Sequence, residues 1–417
     1  MELKILNPLY GGMGLARDDQ VFFVKGAIPH ETVEAEIIEK KRDYSITRVT
    51  DIIEPSPYRQ DPPCPVYGKC GGCHYQHIIY ERQLSMKQEI ICDCLKRIGK
   101  LETVNFEEPV HGDQFRYRYR AQFKIQNGVT GFFKENSHEI VPFQECLLLD
   151  DTLNEALIRL KRIDIHPSIS EVTVTSGDNL IAYLPSKNVP REFLLKLIEM
   201  NVFDGVIAGN GETAGKTSTE LSLGAYRYVI SANSFLQSNW ALNDRLSDLI
   251  TDLLSASIGD DLTVENRQRP FKYGSLLDVY GGSGNFSIAL SHLFKKISVI
   301  EENPCSIADG KTNIELNDIQ NIKFIHATAE DMKVRGNFDV TLVDPPRIGL
   351  TKKAIKKILE LAPQQLIYVS CNPATLARDA SKLGNLYEID SVRLVDMFPQ
   401  TYHCEILCHF KIREHDN

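Results

Sequence analysis

The chain has 417 residues, 42% of them hydrophobic and 25% charged, and a formal net charge of −9. This is an ordinary globular composition with the length for two or three domains, and it argues against a disordered chain and against indiscriminate polyanion binding. Affinity for phosphates comes from local basic patches, so an RNA partner stays open.

Met1 to Gly11 lacks the cationic start and apolar core of a signal peptide, and no apolar run approaches the roughly 18 residues of a membrane span. A soluble, cytoplasmic protein is expected. Ten unevenly spaced cysteines in so large a chain predict metal or catalytic use of reduced thiols rather than a disulfide framework.

Leu3 to Glu54 reads as small β structure, with strands at 21–24, 32–38 and 45–49; alternation puts Val33, Ala35 and Ile37 on one face. Lys40, Lys41, Arg42 and Arg48 could meet phosphates, although acids such as Glu39 and Asp43 among them suit a solvated surface. Next come Cys64, Cys70 and Cys73 in a C-x5-C-x2-C run around glycines, which can wrap one inorganic centre. The fourth ligand must come from elsewhere: His74, Cys92, Cys94 or Cys146. Cys92 and Cys94 fall in an amphipathic helix over 84–98, point in different directions, and read as packing residues. Four thiolates suit zinc or an iron–sulfur cluster equally well.

The run Arg116 to Ile125 begins with alternating basic and aromatic residues. As a strand it would carry Arg116, Arg118 and Arg120 on one face and Tyr117, Tyr119 and Phe123 on the other, suited to phosphate on one side and a stacked base on the other. A solvated cationic face is the plainer reading. The region 151–224 is mixed β and α, with a helix over 192–200, and says little about function.

From Phe235 onward the pattern sharpens. After Phe235-Leu236-Gln237-Ser238-Asn239 and a helix over 240–254, a buried strand runs into Tyr280-Gly281-Gly282-Ser283-Gly284 and then a helix, as in nucleotide-binding βαβ units. The next strand ends at Glu301, about 20 residues past the glycine turn, where a carboxylate can accept from ribose hydroxyls. Further strands end at Asp344-Pro345-Pro346-Arg347 and at Ser370-Cys371, each followed by a helix. Strands alternating with helices predict a mostly parallel, doubly wound sheet with its ligand crevice at the carboxyl ends. Cys371 then sits at that crevice, although a cysteine after a strand is more often a small buried hydrophobe.

Asp278 to Phe286, Asp344 to Arg347, Ser370 to Asp379 and Phe398 to Glu405 together resemble the RNA uracil-5 methyltransferase family, with the motifs in its order over nearly the whole chain. Gly11 to Arg17 and the strands after it resemble the TRAM module, a small OB-like barrel. The chain departs from the family in having Gly281 where a cysteine is frequent and Gln400 where a histidine is common. The resemblance implies an α/β fold: a TRAM-like barrel over 1–54, a central α+β domain with an iron–sulfur cluster over 55–230, and a Rossmann-like methyltransferase domain over 231–417. It implies Cys371 as nucleophile at C6 of uracil and Glu405 as the base that removes the C5 proton. Gln237, Tyr280, Asn285, Glu301 and Asp344 would bind S-adenosylmethionine, Asp344 with the option of touching the uracil instead. Cys64, Cys70, Cys73 and Cys146 would hold a [4Fe-4S] cluster with a structural or RNA-positioning role. The implied substrate is a uridine of 23S ribosomal RNA, with transfer RNA as the alternative, and nothing requires more than a monomer. Two rival readings are a base amino-group methyltransferase, which Asp344-Pro345-Pro346 also resembles, and an inactive RNA-binding assembly factor.

Overall fold

The first five strands, β1 (Glu2–Leu9), β2 (Met13–Arg17), β3 (Val21–Lys25), β4 (Thr32–Lys40) and β5 (Tyr44–Glu54), close into a barrel in the order β1-β2-β3-β5-β4. In this computed structural model, which describes residues 1–256 and 271–413, alternate residues such as Leu3, Ile5, Phe22, Val24 and Val33 fill the barrel. Ile37 does not share the burial of Val33 and Ala35; it is 48% exposed. The reason is that β4 pairs with β1 only from Thr32 to Glu34 and has run past the barrel wall by Ile37.

Helix α1 (Tyr80–Arg97) starts earlier than its periodicity suggests and packs on the C-terminal part of the chain. Cys92 and Cys94 do point in different directions, but Cys92 is exposed and only Cys94 packs. A seven-stranded sheet follows, ordered β12-β11-β10-β9-β6-β7-β8. Its strands are β6 (Arg120–Gln126), β7 (Val129–Phe133), β8 (Ile140–Val141), β9 (Glu171–Thr175), β10 (Ile181–Leu184), β11 (Gly205–Ala208) and β12 (Thr213–Gly215), with α2 (Asp151–Leu160) and α3 (Arg191–Glu199) sharing its core.

The arginine strand is corrected here. Arg116 is left-handed (φ 59°) and β6 begins only at Arg120, so the alternation is broken before the strand starts. Arg116 pairs with Glu145, Arg118 and Arg120 are half-buried, and Arg120 donates to the Ala232 carbonyl 3.1 Å away. They form no open cationic face.

The hairpin of β13 (Ser218–Leu223) and β14 (Tyr226–Ser231) leads to α4 (Trp240–Ala256). The C-terminal sheet then has parallel strands β15 (Tyr273–Val279), β16 (Phe294–Glu301), β17 (Ile322–His326), β18 (Val340–Val343) and β19 (Gln365–Ser370). Helices α5 (Asn285–Ala289), α6 (Pro304–Leu316), α7 (Lys352–Leu361) and α8 (Pro373–Leu383) connect or cover them. Two further strands, β20 (Tyr387–Val395) and β21 (Glu405–Ile412), complete the order β17-β16-β15-β18-β19-β21-β20. The order reverses on either side of β15, which opens a crevice beyond the carboxyl ends of β15 and β18. Strand β21 is antiparallel to β19, pairing Ile406 with Ser370, so it starts at the end where the parallel strands finish. That reversal brings Glu405 to the crevice. Among the described residues no helix is long and apolar enough to cross a membrane.

Candidate active site

At the end of β15 the chain turns sharply. Tyr280 is left-handed (φ 66°), as are Gly282 and Gly284, and a Cβ on Gly281 would lie 2.5 Å from Val299 Cγ1 and 2.8 Å from Asp278 Oδ2. Glycine at 281, the departure from the family pattern, is therefore required by its own neighbours. The Glu301 carboxylate accepts from the amides of Gly282 (2.9 Å) and Asn303 (2.7 Å), which fixes it at the crevice wall. Asn285 has its amide paired reciprocally with Asn243 at 2.7 and 3.0 Å, which fastens α5 to α4.

All seven residues expected to bind the cofactor or do chemistry, Gln237, Tyr280, Asn285, Glu301, Asp344, Cys371 and Glu405, line one cavity of about 700 Å³. Local signals build the nucleophile's turn: the Asn372 side chain accepts from the amides of Ala374 and Thr375, and Pro373 opens α8. Gln237 donates to Asp344 at 3.3 Å. Burial, and then the neighbouring Asp278 carboxylate, push Asp344 up to about 7 against the pull of that hydrogen bond. Glu405 is likewise raised well above the usual carboxylate range, first by burial and then by Asp344, while Arg347 opposes. Cys371 is pushed up to about 12 by burial, Glu405 and Asp344, in that order.

These shifts favour the thiol form of the resting sulfur, with Asp344 lining the same cavity as the carboxylate that can take its proton. Alkylation of Cys371 by iodoacetamide in the free protein, followed by peptide mass mapping, should therefore rise about tenfold per pH unit from pH 7 to 9. A plateau below pH 8 would mean that the thiolate forms unaided.

Several residues assigned no individual role at this crevice by the sequence are part of it. Arg118, Phe235, Arg347 and His403 also line the cavity, and no spacing rule marks them. Asp278 is buried, pushed up to about 7 by burial, and bound by the Ser287 hydroxyl at 2.5 Å. Gln400 is clamped by Gln83, which donates to its Oε1 at 2.9 Å and accepts from its amide at 3.1 Å. Its carbonyl in turn receives the amides of His74 (2.9 Å) and Tyr75 (3.0 Å), so the terminal loop is tied to both α1 and the cysteine segment.

Cys64, Cys70, Cys73 and Cys146 line a second cavity of about 280 Å³. His74, Cys92 and Cys94 are not at its wall. Among the described residues no three His, Cys, Asp or Glu side chains are close enough to hold a single ion, and all ten cysteines are free thiols. Burial pushes the Cys70 and Cys146 thiols up, and the neighbouring backbone amides of Gly72 at the first and of Leu148 and Leu149 at the second oppose it. Arg118 borders both cavities, with its Nε buried and unpartnered. Backbone amides beside the sulfurs and an unpaired guanidinium nitrogen fit an anionic thiolate-bound group.

Residues 220–335 and 332–411 match the family model described as tRNA (Uracil-5-)-methyltransferase. An uncharacterized RNA methyltransferase of Aquifex aeolicus is 32% identical over 99% of both chains. The 23S rRNA (uracil(1939)-C(5))-methyltransferase RlmD of Shewanella amazonensis is 31% identical over 98% of this chain and 95% of its own. Among solved structures, the tRNA (uracil-54, C5)-methyltransferase of Pyrococcus abyssi, in complex with S-adenosyl-L-homocysteine, superposes with a TM-score of 0.75 at 24% identity, covering 98% of this chain and 100% of that one. That likeness extends over barrel, central sheet and C-terminal sheet alike.

Proposed function

The chain belongs to the RNA uracil-5 methyltransferase family, and from that premise we propose that it methylates C5 of a uridine in 23S ribosomal RNA through a covalent adduct between Cys371 and C6. The observation that carries this reading is the meeting of Cys371, Asp344 and Glu405 in one cavity with Gln237, Tyr280 and Glu301.

S-adenosylmethionine supplies an electrophilic methyl group on a sulfonium when bound. Glu301, held by two backbone amides, would accept from its ribose hydroxyls, and Gln237 and Tyr280, on the same cavity wall, would hold its methionyl end. Uracil C5 is too weak a nucleophile to take the methyl group unaided, so the Cys371 thiol gives its proton to Asp344 and the sulfur adds to C6, the C5–C6 π pair moving onto the O4 enolate that makes C5 electron-rich. After methylation Glu405 takes the C5 proton; the C–H electron pair re-forms the C5–C6 double bond and the thiolate leaves. Burial raises the basicity of Glu405 for that step. A target base must leave the RNA stack to reach the crevice, and the barrel over 1–54 and the central region over 55–230 flank the domain over 231–417 that would receive it.

The Shewanella relative favours ribosomal RNA as substrate, whereas the family model and the Pyrococcus neighbour are named for transfer RNA. Labelled S-adenosylmethionine incubated with unmodified 23S ribosomal RNA and with transfer RNA decides between them: label at uridine C5 in ribosomal RNA alone is expected, and label in transfer RNA alone would overturn the substrate assignment.

Cys64, Cys70, Cys73 and Cys146 would hold a [4Fe-4S] cluster, tying the cysteine segment to the turn before α2. Its role would be structural, since methyl transfer needs no electron. Purified Cys146→Ser should lose most of its iron and inorganic sulfide. Full iron content with normal folding would sink Cys146 as a ligand, and zinc in place of iron in the native protein would sink the cluster.

A further inference from the structure

The barrel reaches the catalytic turn directly. Tyr10, in the turn between β1 and β2, packs against the core beneath the C-terminal sheet and is not part of the barrel's own core. Its phenol donates to the carbonyl of Cys371 at 3.2 Å. The Asn372 side chain has taken the amides of Ala374 and Thr375, so a side chain from 361 positions away serves the carbonyl that precedes α8. The Tyr10 ring stands edge-on to Tyr402 at 5.4 Å, and Tyr402 packs in a tilted contact on His403 of the crevice wall, ring centres 4.3 Å apart. Two residues on, Gly12 leaves no slack: a Cβ there would lie 3.1 Å from His74 and 3.3 Å from Tyr402.

We infer that Tyr10 is a positioning residue for methyl transfer, holding the backbone of Cys371 so that its sulfur meets C6, and that the barrel is therefore a structural part of the active site. The inference rests on the reading of Cys371 as nucleophile. The orientation of Sγ follows from the backbone of residue 371, which sits between the last pair of β19 and the first turn of α8. One hydrogen bond at that junction limits its rocking, and small losses of alignment at a reacting atom are costly.

Tyr10→Phe keeps the ring and removes only the donor. With ribosomal RNA carrying 5-fluorouridine, where the C5 proton that Glu405 would take is absent and the adduct is trapped, single-turnover adduct formation should slow by about tenfold. The RNA dissociation constant should stay within about twofold of native, and the melting midpoint within about 2 °C. Adduct formation at the native rate would reduce Tyr10 to packing and overturn the inference. Weakened RNA binding with an unchanged adduct rate would make Tyr10 an RNA contact and overturn it as well. Cys371→Ala run alongside separates the two levels: an adduct in that variant would sink the nucleophile assignment itself, whereas its absence together with native Tyr10→Phe kinetics would sink only the role of Tyr10.

Discussion

Replacing Cys371 by alanine is expected to lower methyl transfer to ribosomal RNA by about 10⁴-fold or more, because no part of the reaction proceeds until C5 is made electron-rich. Cys404 cannot substitute: it is fully buried and does not line the crevice. Glu405→Gln makes the contrasting case. It leaves thiolate addition and methyl transfer possible but removes the acceptor for the C5 proton, so turnover should fall by about 10²–10⁴-fold while a methylated protein–RNA adduct accumulates on denaturing gels. Loss of activity without adduct in Cys371→Ala, and loss of turnover with adduct in Glu405→Gln, would establish the order of the two steps. Methyl transfer by Cys371→Ala would instead move amino-group methylation to the front, since that chemistry needs no thiol.

Lys87→Met is expected to destabilise the fold by about 3–5 kcal/mol, the range for stripping one partner from a buried ion pair. Lys87 and Asp396 are both fully buried; the ammonium donates to Asp396 Oδ1 at 2.5 Å and to the Phe398 carbonyl at 3.0 Å. Tyr80 donates to the other Asp396 oxygen at 2.9 Å. Two residues of α1 thus hold the end of β20, while Gln83 on the same helix clamps Gln400. The segment between these anchors and Glu405 is a wall of the crevice, so urea midpoints should fall together with activity. The double variant Lys87→Met with Asp396→Leu should recover much of the loss, because both buried charges are gone. A cost below about 1 kcal/mol for Lys87→Met would mean that water reaches Asp396 in the native protein.

Much of the site was legible in the residues alone. The glycine turn after β15, the acid ending β16 and the Asn-Pro cap of α8 are local devices, each set by backbone stereochemistry or by the need to satisfy helix amides. Helix α7 follows the strand that ends at Asp344, as the alternation of strands and helices predicts, and the structure adds its Thr351 cap. The alternation at Arg116 misled because a single left-handed residue, Arg116 itself, breaks the strand geometry on which alternation depends. Burial of Arg118 and Arg120 follows from where β6 packs, which no local pattern contains.

Sequence by itself determined the carriers of chemistry: which turns exist, which strands end in a carboxylate or a thiol, and which cysteines are close along the chain. Only the tertiary structure decided their meeting. Glu405 comes beside Cys371 because β21 runs antiparallel to β19, Cys146 comes to the three early cysteines because the segment after β8 folds back over them, and Tyr10 comes from the barrel to the catalytic turn. Each is a contact between residues far apart in the chain, set by how whole elements bury their apolar faces against one another, and that information is spread over the entire core.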